Sequence, residues 1–237
     1  MKNFFCARFE QLLSPCLLLL LGLLLLLAGF IGLSTAVAQS AGPAEGSAAT
    51  AGSPAAKGSL VVLGDSLSAG YGIRAEQGWV TLLERRLDAL GYEVTVVNAS
   101  ISGDTTHGGL TRLPKLLARF ERGILVLELG GNDGLRGLSL SDTRANLNAI
   151  IEQAQAGGFA VLLVGIKLPP NLGPVFNRAF QNIYPDLAAK HELPLVPFLL
   201  EGVALEPALM QSDGIHPKAE AQERLLDNVW PYLKPLL

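Results

Sequence analysis

The order of apolar and polar positions divides the chain into three stretches of different character. Residues 17–33 hold eleven leucines and no charge. Residues 39–58 are almost entirely Ala, Gly, Ser and Pro, with Glu45 and Lys57 the charged exceptions. From Ser59 onward, short continuous apolar runs alternate with segments whose apolar residues recur every three or four positions. Leu60–Leu63 is such a run, ended by Gly64, and suits a strand buried on both faces of a parallel sheet. Trp79, Leu82, Leu83, Leu87 and Leu90 then recur at helical spacing up to Gly91, a helix stop. Val94–Val97 predicts a second strand, and Leu110, Leu113, Leu116, Leu117 and Phe120 a second helix. Ile124–Leu129 predicts a third strand entering Gly130-Gly131, and Leu147, Ile150, Ile151 and Ala154 a third helix closed by Gly157-Gly158. Phe159–Ile166 predicts a fourth strand. A single fourth helix carries Phe176, Phe180, Ile183, Tyr184 and Leu187. Leu195-Val196 is a short fifth strand, and residues 217–233 form a closing helix opened by Pro217.

Strands alternating with helices predict an α/β domain, a five-stranded parallel sheet with helices on both faces. Its sites belong at the carboxyl ends of the strands. Residues 59–237 are enough for one such domain with a full core. No internal repeat is seen.

Residues 1–38 read as an export segment. Lys2 and Arg8 make a positive start, Leu17–Leu33 an apolar centre, and Ala36-Val37-Ala38 a cleavage pattern that places the mature start at Gln39. The apolar run is also long enough to cross a bilayer at 1.5 Å per residue, so an uncleaved anchor competes with cleavage. A lipoprotein is disfavoured because Cys16 precedes the apolar run. Each route puts the body outside the cytoplasm, periplasmic or secreted. Residues 39–58 cannot bury enough apolar surface to offset their ordering entropy and are expected to act as a flexible tether.

Charge and composition narrow the chemistry. The formal net charge is −3, and since Lys2, Arg8 and Glu10 make the leader net +1, the body is net −4. A nucleic-acid binder would show a basic stripe. Both cysteines, Cys6 and Cys16, lie in the leader, so the body has no disulfide, thiolate nucleophile or cysteine-based zinc site.

The polar residues of interest collect after the strands. Ser66 follows the first strand where a helix can begin. It is either an N-cap or, given a base, a nucleophile. Of the three histidines, His191 sits at a polar helix end and His107 follows Thr105-Thr106. His216 lies in Asp213-Gly214-Ile215-His216-Pro217, where Asp213 could hold one ring nitrogen and leave the other for a serine. The same tetrad also suits a plain turn. Gly103 and Asn132 offer a close backbone approach and a side-chain amide to a developing oxyanion, or simple turn chemistry. Gly130-Gly131 lacks the Gly-Lys-Ser/Thr ending of a phosphate loop. Asp65, Asp104 and Asp133 read as partners that lock these loops, and Trp79 as core.

Gly64–Gly72, Val97–Thr105, Glu128–Gly137 and Asp213–Pro217, in order at the strand ends, resemble the SGNH (GDSL) family of serine hydrolases. The similarity covers residues 60–235 and is greatest to its bacterial thioesterase I/arylesterase/lysophospholipase group. The resemblance implies a three-layer α/β/α sandwich of flavodoxin-like order. It implies Ser66 as nucleophile, His216 as base and then acid, and Asp213 as its orienting partner. The N–H of Ser66, the N–H of Gly103 and the side chain of Asn132 would form the oxyanion hole. It implies no metal and no cofactor. The expected substrates are small acyl esters and thioesters, lysophospholipid included, for a monomer that binds no nucleic acid and meets membrane only through its N-terminal segment. The apolar stretch Leu135, Leu138 and Leu140 either lines an acyl groove or anchors a loop to the core. The rival readings are a carbohydrate acetyl esterase of the same fold and an inactive tethered binding module.

Overall fold

The computed structural model describes residues 58–237. The leader and all but the last residue of the tether lie outside the described residues. The first described residue, Gly58, already belongs to strand β1, Gly58–Gly64. It is followed by the short helix α1, Ser66–Ala69, and by α2, Trp79–Ala89. The remaining elements are β2 (Val94–Asn98), α3 (Thr106–Leu117), β3 (Gly123–Glu128), α4 (Gly131–Leu135), α5 (Leu140–Ala156), β4 (Phe159–Val164), α6 (Pro174–Gln181), α7 (Ile183–His191), β5 (Leu195–Val196) and α8 (Gln222–Leu233).

The five strands form one sheet in the order β2-β1-β3-β4-β5, every neighbouring pair parallel. Side chains alternate across each strand, and here both faces are covered. Val61, Leu63, Leu125, Leu127, Val161 and Leu163 pack with residues of α3, α5, α6 and α7. Leu60, Val62, Ile124, Val126, Leu162 and Val164 pack with α2 and α8. This double burial is why the central strands are apolar at every position rather than at alternate ones. Trp79 is fully buried in the second of these layers. The fold is therefore the three-layer α/β/α sandwich expected from the pattern.

The strand order reverses between β1 and β3, because the chain moves outward from β1 to β2 and then returns to the other side of β1. Such a switch point leaves a crevice outside the carboxyl ends of the two strands. Ser66 follows β1 and Asn132 follows β3, so both stand at this crevice.

Three elements differ from the pattern-based expectation. The single helix over 176–187 is two helices, α6 and α7, parted at Asn182. Pro185 has no N–H to give to the Gln181 carbonyl, so the hydrogen-bond ladder lapses there. The closing helix begins at Gln222 rather than at Pro217, which instead pairs across an isolated bridge with Met210. Finally, Gly131–Leu135 is a turn of helix, α4, where the glycine-rich sequence suggested a loop.

Candidate active site

Four segments distant in the chain meet at the crevice. The first is the turn from β1 into α1. Asp65 caps α1, its Oδ1 accepting from the Leu67 N–H at 3.0 Å, as short polar caps do. Gly64 has to be glycine here: an added Cβ would lie 2.7 Å from Glu128 Oε2 and 2.8 Å from the Ser68 Cβ. The chain thus bends sharply over a buried carboxyl and lifts Ser66 to the edge.

The second segment is the loop over residues 211–217. Asp213 Oδ1 accepts from the N–H groups of Ile215 and His216 at 2.9 and 3.0 Å, closing a tight Asx-type turn. Its other oxygen, Oδ2, meets Nδ1 of His216 at 2.7 Å. A carboxylate only accepts, so Nδ1 carries the hydrogen and Nε2 is left as the acceptor. Nε2 lies 2.9 Å from Ser66 Oγ. One carboxylate therefore both folds the loop and sets the imidazole tautomer. Desolvation works to raise the Asp213 pKa, but the hydrogen bonds from the His216 ring and from the two backbone N–H groups prevail and hold it at about 2. The exposed ring of Tyr71 lies against the His216 ring, with centroids 4.5 Å apart.

The third and fourth segments hold two further prospective oxyanion donors, Gly103 and Asn132. Ile101 to Asp104 form a turn closed by the Asp104 N–H on the Ile101 carbonyl at 3.0 Å. Gly103 occupies its third position at φ +80°, which favours glycine. Arg136, just past α4, donates from Nη2 to the Gly103 carbonyl at 2.9 Å and ties that turn to the Asn132 segment. Asn132 Nδ2 donates to Asp65 Oδ2 at 3.2 Å. Among the described residues, no hydrogen-bond partner occupies the N–H of Ser66 or of Gly103.

Behind the turn lies a buried polar chain. The fully buried Glu128, last residue of β3, accepts at Oε2 from Ser68 Oγ at 2.7 Å and from the Asp65 N–H at 3.3 Å. Trp79 Nε1 donates to the same Ser68 Oγ at 3.3 Å. Burial pushes the Glu128 pKa well above the usual carboxylate range, with the adjacent Asp65 charge adding to it. Burial likewise raises Asp65 to about 6, against the opposing hydrogen bond from Leu67, the field of His216 and the Asn132 amide.

Ser66, Gly103, Asn132, Asp213 and His216 are thus found at one edge of the sheet. The three leucines are not found together. Leu135 lines the cleft that opens beside Ser66, of about 760 Å³, with Ile166, Leu168, Leu200, Met210 and Ile215. Leu140 instead begins α5 and packs on the core layer of α3, α5 and α7. Leu138 lies on the exposed bend between α4 and α5 and is not part of the cleft wall. The turn of helix at α4 is the reason, since it ends the cleft-facing backbone at Leu135. The three aspartates do lock loops. Asp104 pairs with Arg112 Nε at 2.8 Å, and Asp133 takes the N–H and hydroxyl of Thr106 at 2.9 and 2.5 Å. Three contributors were not singled out from sequence: Glu128, Arg136 and Tyr71. Glu128 carried a signal, being a carboxylate in an otherwise apolar strand. Among the described residues, no group of three His, Cys, Asp or Glu side chains converges as a metal site would require.

Comparison with known proteins shows the family. Residues 62–224 match the GDSL-like lipase/acylhydrolase family. Esterase TesA of Pseudomonas aeruginosa is 55% identical over 175 residues, covering 74% of this chain and 87% of that protein. Thioesterase 1/protease 1/lysophospholipase L1 of Escherichia coli K12 is 46% identical over 175 residues, covering 74% of this chain and 83% of that protein. Among solved structures, the psychrotrophic esterase EstA of Pseudoalteromonas sp., inhibited by monoethylphosphonate, superposes with a TM-score of 0.72 at 37% identity, covering 75% of this chain and 97% of that one. This chain belongs to the GDSL-like lipase/acylhydrolase family and is an esterase.

Proposed function

We propose that the chain is an exported serine esterase that cleaves carboxylic esters and acyl thioesters through an acyl-enzyme on Ser66. The observation that carries this is the hydrogen-bonded run Ser66 Oγ–His216 Nε2–Nδ1–Asp213 Oδ2, at 2.9 and 2.7 Å, at the mouth of an apolar cleft. Ser66 Oγ attacks the acyl carbon while its proton passes to His216 Nε2, and Asp213 steadies the resulting imidazolium. The carbonyl oxygen, now negative, turns toward the N–H groups of Ser66 and Gly103 and the amide of Asn132. Each such donor contributes about 10²–10³ in rate. Collapse expels the alcohol or thiol, which takes the proton from His216. Water then repeats the sequence with His216 as base and frees the acid and Ser66.

Aliphatic side chains dominate the cleft wall, with Phe198 and His216 its aromatic members, which suits an alkyl chain better than a sugar. Each buried methylene contributes about 0.8 kcal/mol, so chains two carbons apart should differ about tenfold in kcat/KM. The test is a series of p-nitrophenyl esters with acyl-CoAs, lysophospholipids and acetylated sugars beside them. The expected result is a rise from acetate toward medium chains, thioester cleavage, and a loss of about 10⁴-fold or more in kcat for S66A with an unchanged circular dichroism spectrum. A maximum at acetate with turnover of acetylated sugars would establish the acetyl-esterase alternative instead. Export rests on the leader pattern and is tested by N-terminal sequencing of the secreted or periplasmic protein, expected to begin at Gln39.

A further inference from the structure

Asp65 is a buried carboxylate that takes no part in the steps above. It is 2% exposed and sits at the switch point between β1 and β3. Its two oxygens are divided between two tasks. Oδ1 takes the Leu67 N–H at 3.0 Å, and Oδ2 takes Nδ2 of Asn132 at 3.2 Å. The backbone makes room for the second contact: a Cβ on Gly131 would stand 3.1 Å from that same Oδ2.

An asparagine amide has two nearly isosteric ends, one donating and one accepting. Nothing in its shape decides which end faces an oxyanion. An acceptor-only partner does decide it. With Oδ2 of Asp65 holding one N–H of Nδ2, the second N–H of the same planar nitrogen is the group left for the oxyanion, and the carbonyl is turned away. We propose that Asp65 is the positioning residue that selects the amide orientation of Asn132. The inference rests on the reading of Asn132 as an oxyanion donor. A flipped amide would present its oxygen to the developing negative charge, so losing the selector costs at least as much as losing the donor.

The substitution D65N separates the two tasks. Its amide oxygen can still take the Leu67 N–H and keep the cap, while its NH₂ faces the NH₂ of Asn132, which escapes by flipping. The measurement is kcat and KM of D65N, N132A and D65N/N132A on a p-nitrophenyl ester, read on the pH plateau so that the loss of a charge near His216 does not enter. The expected result is a fall of about 10²–10³ in kcat for D65N with KM little changed, and a double variant no slower than N132A. D65N with kcat within threefold of the unsubstituted enzyme, while N132A is impaired, overturns the inference alone. An equal further loss in the N132A background also overturns it, because Asp65 would then act through the α1 turn. Full kcat in N132A overturns the reading of Asn132 and the inference with it. Should D65N not fold, D65S supplies the same comparison, since serine also caps a helix but is too short to reach Asn132.

Discussion

At the residue scale, the arrangement turns on one carboxylate that serves a fold and a reaction together. Asp213 closes its own turn with Oδ1 and orients His216 with Oδ2. D213N keeps an oxygen for the turn but offers Nδ1 a donor where it needs an acceptor. The imidazole must then adopt the other tautomer and show Ser66 an N–H. We expect kcat to fall about 10²–10⁴-fold while the fold persists by circular dichroism. With its pKa at about 2, Asp213 stays ionised across the working range, so the acid limb of a rate–pH profile does not come from it. A base must be unprotonated to accept the Ser66 proton, so kcat/KM should rise with pH. A profile flat from about pH 5 to about pH 9 would contradict this. The sign for stability also follows. A depressed carboxylate pKa favours the folded state above its unfolded value and loses that contribution as pH falls toward about 2.

At the scale of elements, β3 and α4 each carry a testable consequence. Glu128 ends β3 as a fully buried carboxyl whose pKa is raised. A raised carboxyl pKa stabilises the folded state below the unfolded value and withdraws that contribution as pH climbs. Glutamine at this position does not titrate. The melting temperature of E128Q should therefore gain on that of the unsubstituted protein between about pH 5 and about pH 8, as differential scanning calorimetry would show. A gap that stays constant across that range would mean Glu128 is ionised in the fold. On α4, Leu135 faces the cleft whereas Leu138 lies on an exposed bend. L135S should flatten the rise in kcat/KM with acyl length and spare acetate hydrolysis, while L138S should leave the rise in place. Equal flattening by both would place the acyl chain along the bend instead.

At the scale of the whole molecule, both faces of the sheet are closed within residues 58–237. Among these residues no helix is long and apolar enough to cross a membrane. A protein lacking residues 1–57 should fold and turn over esters with kcat within about twofold of the full chain, since among the described residues no site residue lies before Asp65. A truncated protein that aggregates or melts far lower would assign those residues a structural role.

Much of this architecture is local and therefore legible in the sequence. Leu60–Leu63 and Ile124–Leu127 are apolar throughout because each side chain meets a covered face, and a parallel sheet with its sites at one edge follows from their alternation with helical segments. The residue blocks around Ser66, Gly103, Asn132 and His216 were legible as turn chemistry, which constrains near neighbours, but only the family resemblance attached roles to them. Pairings across the sheet were not. Ser66 and His216 are 150 residues apart, Asn132 and Asp65 67, and Glu128 and Ser68 60, and no periodicity along the chain encodes which of them touch. Strand order decided the last two, by bringing the ends of β1 and β3 side by side, and the 211–217 loop carries His216 to Ser66. The divergence of Leu135 from Leu140 belongs to the same class, whereas the break at Asn182 has a local cause in Pro185. An apolar stripe says that a residue is buried, but the backbone's local path decides whether it faces the core or the cleft.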